Sequence, residues 1–202
     1  MKLTAFLLAA LTVAAQSLVP SAAQNTVTAG KPLTITAAYT SGGTFGAAAL
    51  EWSLGAGTGV IGAWTAGASA TAAGKSVTCS TAGTVCVLAG LNTNILATGP
   101  VASTTVTFPA ATRGSQAIAI SGASGADAVP NGFTVSGNTI NVTVTSPFDL
   151  DGSGKVDAAD LILVIQQILG ITPCTTADFD GDGKCDVVDL MRFVADALSA
   201  TP

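Results

Sequence analysis

The chain has 202 residues, carries a net charge of −5, is only 9% charged and contains no histidine. That length suits one medium domain and one small one. The missing histidine excludes Ser-His-Asp and Cys-His catalysis and histidine-ligated zinc, and the acidic balance excludes a basic nucleic-acid surface.

Met1 and Lys2 form a short positive region, and Leu3 to Val19 is an apolar run. Ser21-Ala22-Ala23 follows, with small residues at both positions a signal peptidase reads. Residues 1–23 are therefore expected to be a signal peptide cut after Ala23. The alternative is an uncleaved membrane anchor, for which the run is short. No later stretch suits a bilayer, so the mature protein is expected to be soluble and secreted. Four cysteines, an even number, suit an oxidising compartment.

Residues 24–145 read as an all-β domain. Short Val-, Ile- and Thr-rich runs alternate with Gly, Ser and Asn clusters at Pro32–Tyr39, Ser76–Cys79, Thr84–Leu88, Ser103–Phe108, Gln116–Ser121 and Asn138–Val144. Several alternate apolar and polar residues, as half-buried strands do, and their even spacing predicts an antiparallel β-sandwich of jelly-roll type. Cys79 and Cys86 flank a turn signal at Ala82-Gly83 and are expected to bridge a hairpin; the alternative is two free thiols.

Residues 146–148 form a brief linker, and residues 149–202 contain an internal repeat at an offset of 29. Ten acids here face only three bases, Lys155, Lys184 and Arg192. The first repeat opens with Asp149, Asp151, Ser153, Lys155, Asp157 and Asp160, and the second with Asp178, Asp180, Asp182, Lys184, Asp186 and Asp189. These residues occupy positions 1, 3, 5, 7, 9 and 12 of a twelve-residue loop, the spacing that supplies oxygens to a calcium ion. Position 6 is glycine in both loops, Gly154 and Gly183, and position 7 offers only a carbonyl, which admits lysine. Two calcium ions are expected. The bidentate Glu usual at position 12 is Asp in both loops, so each loop must close more tightly. Ser153 leaves loop one with less charge and weaker expected binding.

A helix is predicted after each loop, over about Ala158–Leu169 and Val187–Leu198. No helix is predicted before either loop, which makes these loop–helix units rather than helix–loop–helix EF-hands. Cys174 and Cys185 are expected to clamp the inter-repeat segment onto loop two; the alternative is a buried thiol at 185 and a free Cys174.

Two loop–helix repeats closed by Asp resemble the type I-like dockerin module of cellulosome systems, over Phe148–Leu198. The resemblance implies a small, nearly twofold module whose partner is a cohesin-type domain. By the same resemblance, selectivity falls on Ala158, Ala159, Ile165 and Gln166 in repeat one and on Val187, Val188, Val194 and Ala195 in repeat two. Residues 24–145 resemble a cohesin-like or related carbohydrate-binding sandwich, through Thr28–Ile35, Ala49–Leu54 and Val135–Val144.

The expected function is a secreted, non-catalytic assembly protein of a polysaccharide-degrading system. It would bind calcium and dock to a cohesin-type domain, either in trans or on its own sandwich. Two alternatives accompany it. Tyr39, Trp52 and Trp64 could stack on sugar rings, making the sandwich a polysaccharide binder, although core aromatics are the blander reading. A glycosidase would need two carboxylates flanking the bond, and outside the loops the candidates for that role are Glu51 and Asp127.

Overall fold

The computed structural model describes residues 15–42, 46–129 and 131–199. The first 14 residues of the expected leader lie outside these. Among the described residues, no helix is long and apolar enough to cross a membrane.

Period-two alternation builds the larger body. In β3 (Pro32–Thr40), Leu33, Ile35, Ala37 and Tyr39 are buried while Thr34 lies outward. One sheet runs in the order β1 (Ser17–Ala22), β3, β9 (Gly99–Thr107) and β5 (Val60–Ile61), with β6 (Thr65–Ala66) also on β9. The other runs β2 (Thr26–Thr28), β12 (Thr139–Thr145), β10 (Gly114–Ala126), β4 (Ala49–Gly55), β8 (Val85–Ala89) and β7 (Ser76–Cys79), with β11 (Gly132–Thr134) on β10. The sandwich is thus mainly antiparallel as expected, with one exception. β2 pairs in parallel with β12, Thr26 opposite Thr143. The chain enters along one sheet as β1 and crosses to the other as β2, which tethers the two layers at their edges.

The layers share one core in which Trp52, Tyr39, Phe108, Leu33, Ile35, Leu54 and Ile118 are almost wholly buried. Each large apolar side chain so buried contributes roughly 1.5–3 kcal/mol relative to exposure. A short helix, α1 (Ala68–Ala72), plugs one side with Ala70. Glycine is required at 137, where a Cβ would stand 2.0 Å from the Ile120 carbonyl oxygen.

β1 departs from the sequence reading. It lies inside the segment assigned to the leader, yet all six of its residues pair with β3, and Leu18 is fully buried. The apolar run of the leader passes into the strand without a compositional break, so hydropathy alone does not separate them.

The smaller body holds α2 (Ala158–Ile168) and α3 (Val187–Ser199), each directly after an acidic loop, as predicted. Val164, Ala177 and Phe193 are buried between them. Phe148 is not free linker: its ring lies 4.5 Å from Phe179 and 6.2 Å from Phe193. The two bodies meet through Arg113, which pairs with Asp196 of α3 and donates to the Ser146 hydroxyl at 3.1 Å.

Both expected disulfides are present. Cys79–Cys86 joins directly opposed residues of the β7–β8 hairpin, and Cys174–Cys185 ties the inter-repeat segment to loop two. The same segment hangs on a buried side chain that sequence reasoning missed. Gln167 accepts from the backbone N–H groups of Thr175, Thr176 and Ala177 at 2.9–3.1 Å.

Candidate metal centre and docking face

Each acidic loop is folded by its own carboxylates. Asp149 Oδ2 accepts from Gly154 N–H at 2.9 Å, and Asp178 Oδ2 accepts from Gly183 N–H at 2.9 Å. That closure needs a left-handed residue at position 6, and Gly154 and Gly183 have φ of +86° and +87°. Asp151 accepts from Ser153 N–H, and this bond holds its carboxyl below the usual carboxylate range.

The closing aspartates explain how a side chain one methylene short of Glu completes the loop. Asp160 is fully buried; its Oδ1 accepts from Leu150 and Asp151 N–H at 2.7 and 3.1 Å, and its Oδ2 from Asp157 N–H at 2.9 Å. Asp189 repeats the pattern with Phe179, Asp180 and Asp186 at 2.7, 3.3 and 2.9 Å. Each thus pulls both ends of its loop onto the start of its helix. Asp157 and Asp186, at position 9, cap the following helices by accepting from Ala159 and Val188 N–H at 2.8 and 2.7 Å. An acid at a helix N-terminus is favoured there by the free N–H groups.

Oxygens of Asp149, Asp151 and Asp160 gather within 4.8 Å of one another, as do those of Asp178, Asp180 and Asp182. Asp157, Asp186 and Asp189 fall outside these groups. Ser153 Oγ sits at the rim of loop one, within 3.4 Å of both the N–H and the carbonyl of Lys155. Lys155 and Lys184 are exposed, their side chains directed to solvent. The donor set is wholly oxygen, the choice of a hard cation. Asp149 Oδ1 is buried without a hydrogen-bond partner. An unpaired buried carboxylate oxygen is costly unless something positive meets it. Converging oxygens and this orphaned atom together fit a bound metal ion.

The helices place a second feature beside the loops. Ala158, Ala159, Ile165, Val187, Val188, Val194 and Ala195 are exposed, and Gln166 is half-buried. Sequence reading missed the rest of this apolar surface. Met191 and Leu198 are 67% and 69% exposed and line a groove with Leu190, Val194 and Ala195. In repeat one Ile162 and Leu169 are similarly open. They follow the same helical stripe. The inner part of that stripe, with Leu161, Val164 and Ile168, packs into the module core.

The other candidate residues lie in the sandwich. Tyr39 and Trp52 are fully buried, and Trp64 packs edge-on against Trp52 while donating its indole N–H to Gly83 at 2.8 Å. Tyr39 and Trp52 are closed to a sugar, whereas Trp64 is half-buried and lines a cleft beside Val77 and the Cys79 end of the hairpin. Asp127 holds its own turn by accepting from Val129 and Asn131 N–H, and Glu51 lies exposed on the outer face of β4.

Residues 147–195 match the dockerin type I domain family. No curated protein matches the chain. The N-terminal part has the fold of solved cohesins. A cohesin module from a Clostridium perfringens family 33 glycoside hydrolase has a TM-score of 0.53 at 12% identity, covering 65% of this chain and 98% of its own. The sixth cohesin of Acetivibrio cellulolyticus scaffoldin B, solved in complex with a Cel5 dockerin mutant, gives 0.54 at 13%, covering 64% and 99%. A non-cellulosomal cohesin from Archaeoglobus fulgidus gives 0.52 at 13%, covering 66% and 93%. The chain therefore joins a β-sandwich of cohesin fold to a C-terminal type I dockerin domain.

Proposed function

We propose that this is a secreted, non-catalytic assembly protein of a cellulosome-like polysaccharide-degrading system, which docks through its dockerin domain to a cohesin-type domain of another molecule. The observation that carries this reading is the exposed apolar stripe of α3, Val187, Met191, Val194 and Leu198, beside two carboxylate loops in a segment matching type I dockerins. Docking in trans is favoured over docking on the chain's own sandwich. The sandwich meets α3 through Asp196, while Val187, Met191 and Val194 stay open.

Two calcium ions complete the site in this reading. Asp149, Asp151, Ser153, Asp157 and Asp160 with the Lys155 carbonyl hold one, and Asp178, Asp180, Asp182, Asp186 and Asp189 with the Lys184 carbonyl hold the other. Calcium supplies positive charge where the loop carboxylates crowd. This chain's own residues then fix the start of each helix and keep the apolar stripe rigid. The two disulfides and the apolar N-terminal run support an extracellular setting.

The test is binding of the full mature chain to a panel of purified cohesin domains, with calcium and with chelator. Calcium-dependent capture that is lost in Met191→Asp is the expected result. Failure to bind any cohesin in calcium, by a chain that calorimetry shows to take up the ion, would overturn the docking reading.

A further inference from the structure

We propose that export processing cuts this chain between Ala15 and Gln16, leaving β1 as the first strand of the mature sandwich. Among the described residues, Gln16 is tied to the sandwich on two independent counts. Its side-chain carbonyl accepts from the buried Tyr39 hydroxyl, and its backbone carbonyl accepts from Ser136 N–H at 2.9 Å. Leu18 N–H then donates to the Ser136 carbonyl at 2.8 Å, and Ser17 to Ala22 pair residue for residue with Thr40 to Ile35. Ala15, one residue earlier, is exposed.

The residues before Gln16 suit a cut there. Leu3–Val13 is an apolar run of 11 residues, inside the range of about 7–15 for the apolar region of a leader. Val13-Ala14-Ala15 then places small aliphatic residues at the two positions the peptidase reads. A cut after Ala23 demands an apolar region reaching Val19, 17 residues long, which takes in polar Gln16 and Ser17 as well. It would also discard β1, remove Leu18 from the core and leave the outer edge of β3 with unpaired N–H and carbonyl groups. Such an edge invites pairing with other chains. In the proposed step, water adds across the Ala15–Gln16 amide under a membrane-bound signal peptidase. Ala15 leaves as the carboxylate of the leader, and Gln16 gains the free α-amino group.

This inference rests on the export half of the proposed function, and the experiment separates the two. The full chain is expressed with its own leader in a secreting bacterial host, and the exported product is identified by intact mass and N-terminal sequencing. A product starting at Gln16 is expected. Ala15→Arg should abolish it, with precursor accumulating, while Ala23→Arg should leave it unchanged. An exported product starting at Gln24 would overturn the cut but keep export; a chain that is never exported would overturn both. As a second measurement, chains made to start at Gln16 and at Gln24 are compared by thermal melting. The Gln24 chain should lose the upper part of the sandwich transition, and equal melting temperatures would overturn the role given to β1.

Discussion

The two bodies of this chain are held together in different ways. The sandwich buries a contiguous apolar core that runs from Leu18 to Val144. The dockerin domain fully buries little more than Val164, Ala177 and Phe193, with partly exposed residues around them. A module of about 50 residues cannot bury enough surface to offset its own ordering entropy, so it needs staples. Here they are the Cys174–Cys185 bridge, the Gln167 clasp on the inter-repeat segment and the two acidic loops. One fold is stable through what it excludes from water; the other leans on cross-links, clasps and self-closing acidic loops.

Calcium removal is the strongest way to break that contrast. Chelation should unfold α2 and α3 and leave the sandwich transition in place, seen as loss of helical ellipticity with β signal retained. Asp149→Ala and Asp178→Ala should each reproduce part of the loss. Joint melting of both bodies on chelation would show that they fold as one cooperative unit.

A core truncation in each body sharpens the same point. Phe→Ala and Trp→Ala in a packed interior cost about 3–5 kcal/mol. Phe193→Ala should therefore leave the dockerin domain largely unfolded even in calcium, since that cost approaches all the stability of so small a core. Trp52→Ala should cost the sandwich a similar amount but leave it folded at 25 °C. Calorimetry on the two variants reads both transitions at once.

Alkaline pH should act on the sandwich alone. Burial raises the Tyr39 hydroxyl above its ordinary pKa of 10.0, partly offset by the Ala47 N–H donated to it. The folded state then holds this proton more tightly than the unfolded chain does. Its contribution is present in full below pH 10 and is lost as pH rises through the folded value. The sandwich transition should fall above pH 10, and Tyr39→Phe should flatten that fall.

What the sequence disclosed follows the same division. The two acidic loops were legible as loops because the same spacing of acids recurs in both repeats, and Gly154 and Gly183 mark the turn. β3, β7 and β12 were legible because alternation survives over at least four residues in each, and β4 was reached only through the family resemblance. β2, β5, β6 and β11 span only two or three residues, too few for a period to appear. β1 was hidden for a different reason, since a leader and a buried strand are both apolar runs. Aromatics gave no indication of their side: Trp52 and Trp64 look equally suited to a core or to a sugar until their burial is known. Met191 and Leu198 were missed because a helical stripe does not say which of its residues face the module and which face a partner.

The smallest effect is expected where the bodies touch. Arg113 reaches Asp196 and Ser146, yet its Nε is buried without a partner, which offsets part of what the pair contributes. The Arg113 side chain also keeps 27% of its surface in water, so solvent screens the attraction. Arg113→Ala should therefore cost about 1 kcal/mol or less in either melting transition. Its main consequence should be geometric. Ser146 would lose its guanidinium donor, and the short connection from Ser146 to Phe148 would alone set the angle between the bodies. X-ray scattering should then show a broader distribution of interbody distances in the variant, with calcium uptake unchanged. An unchanged scattering profile would show that Phe148, packed against Phe179 and Phe193, fixes the angle without the ion pair.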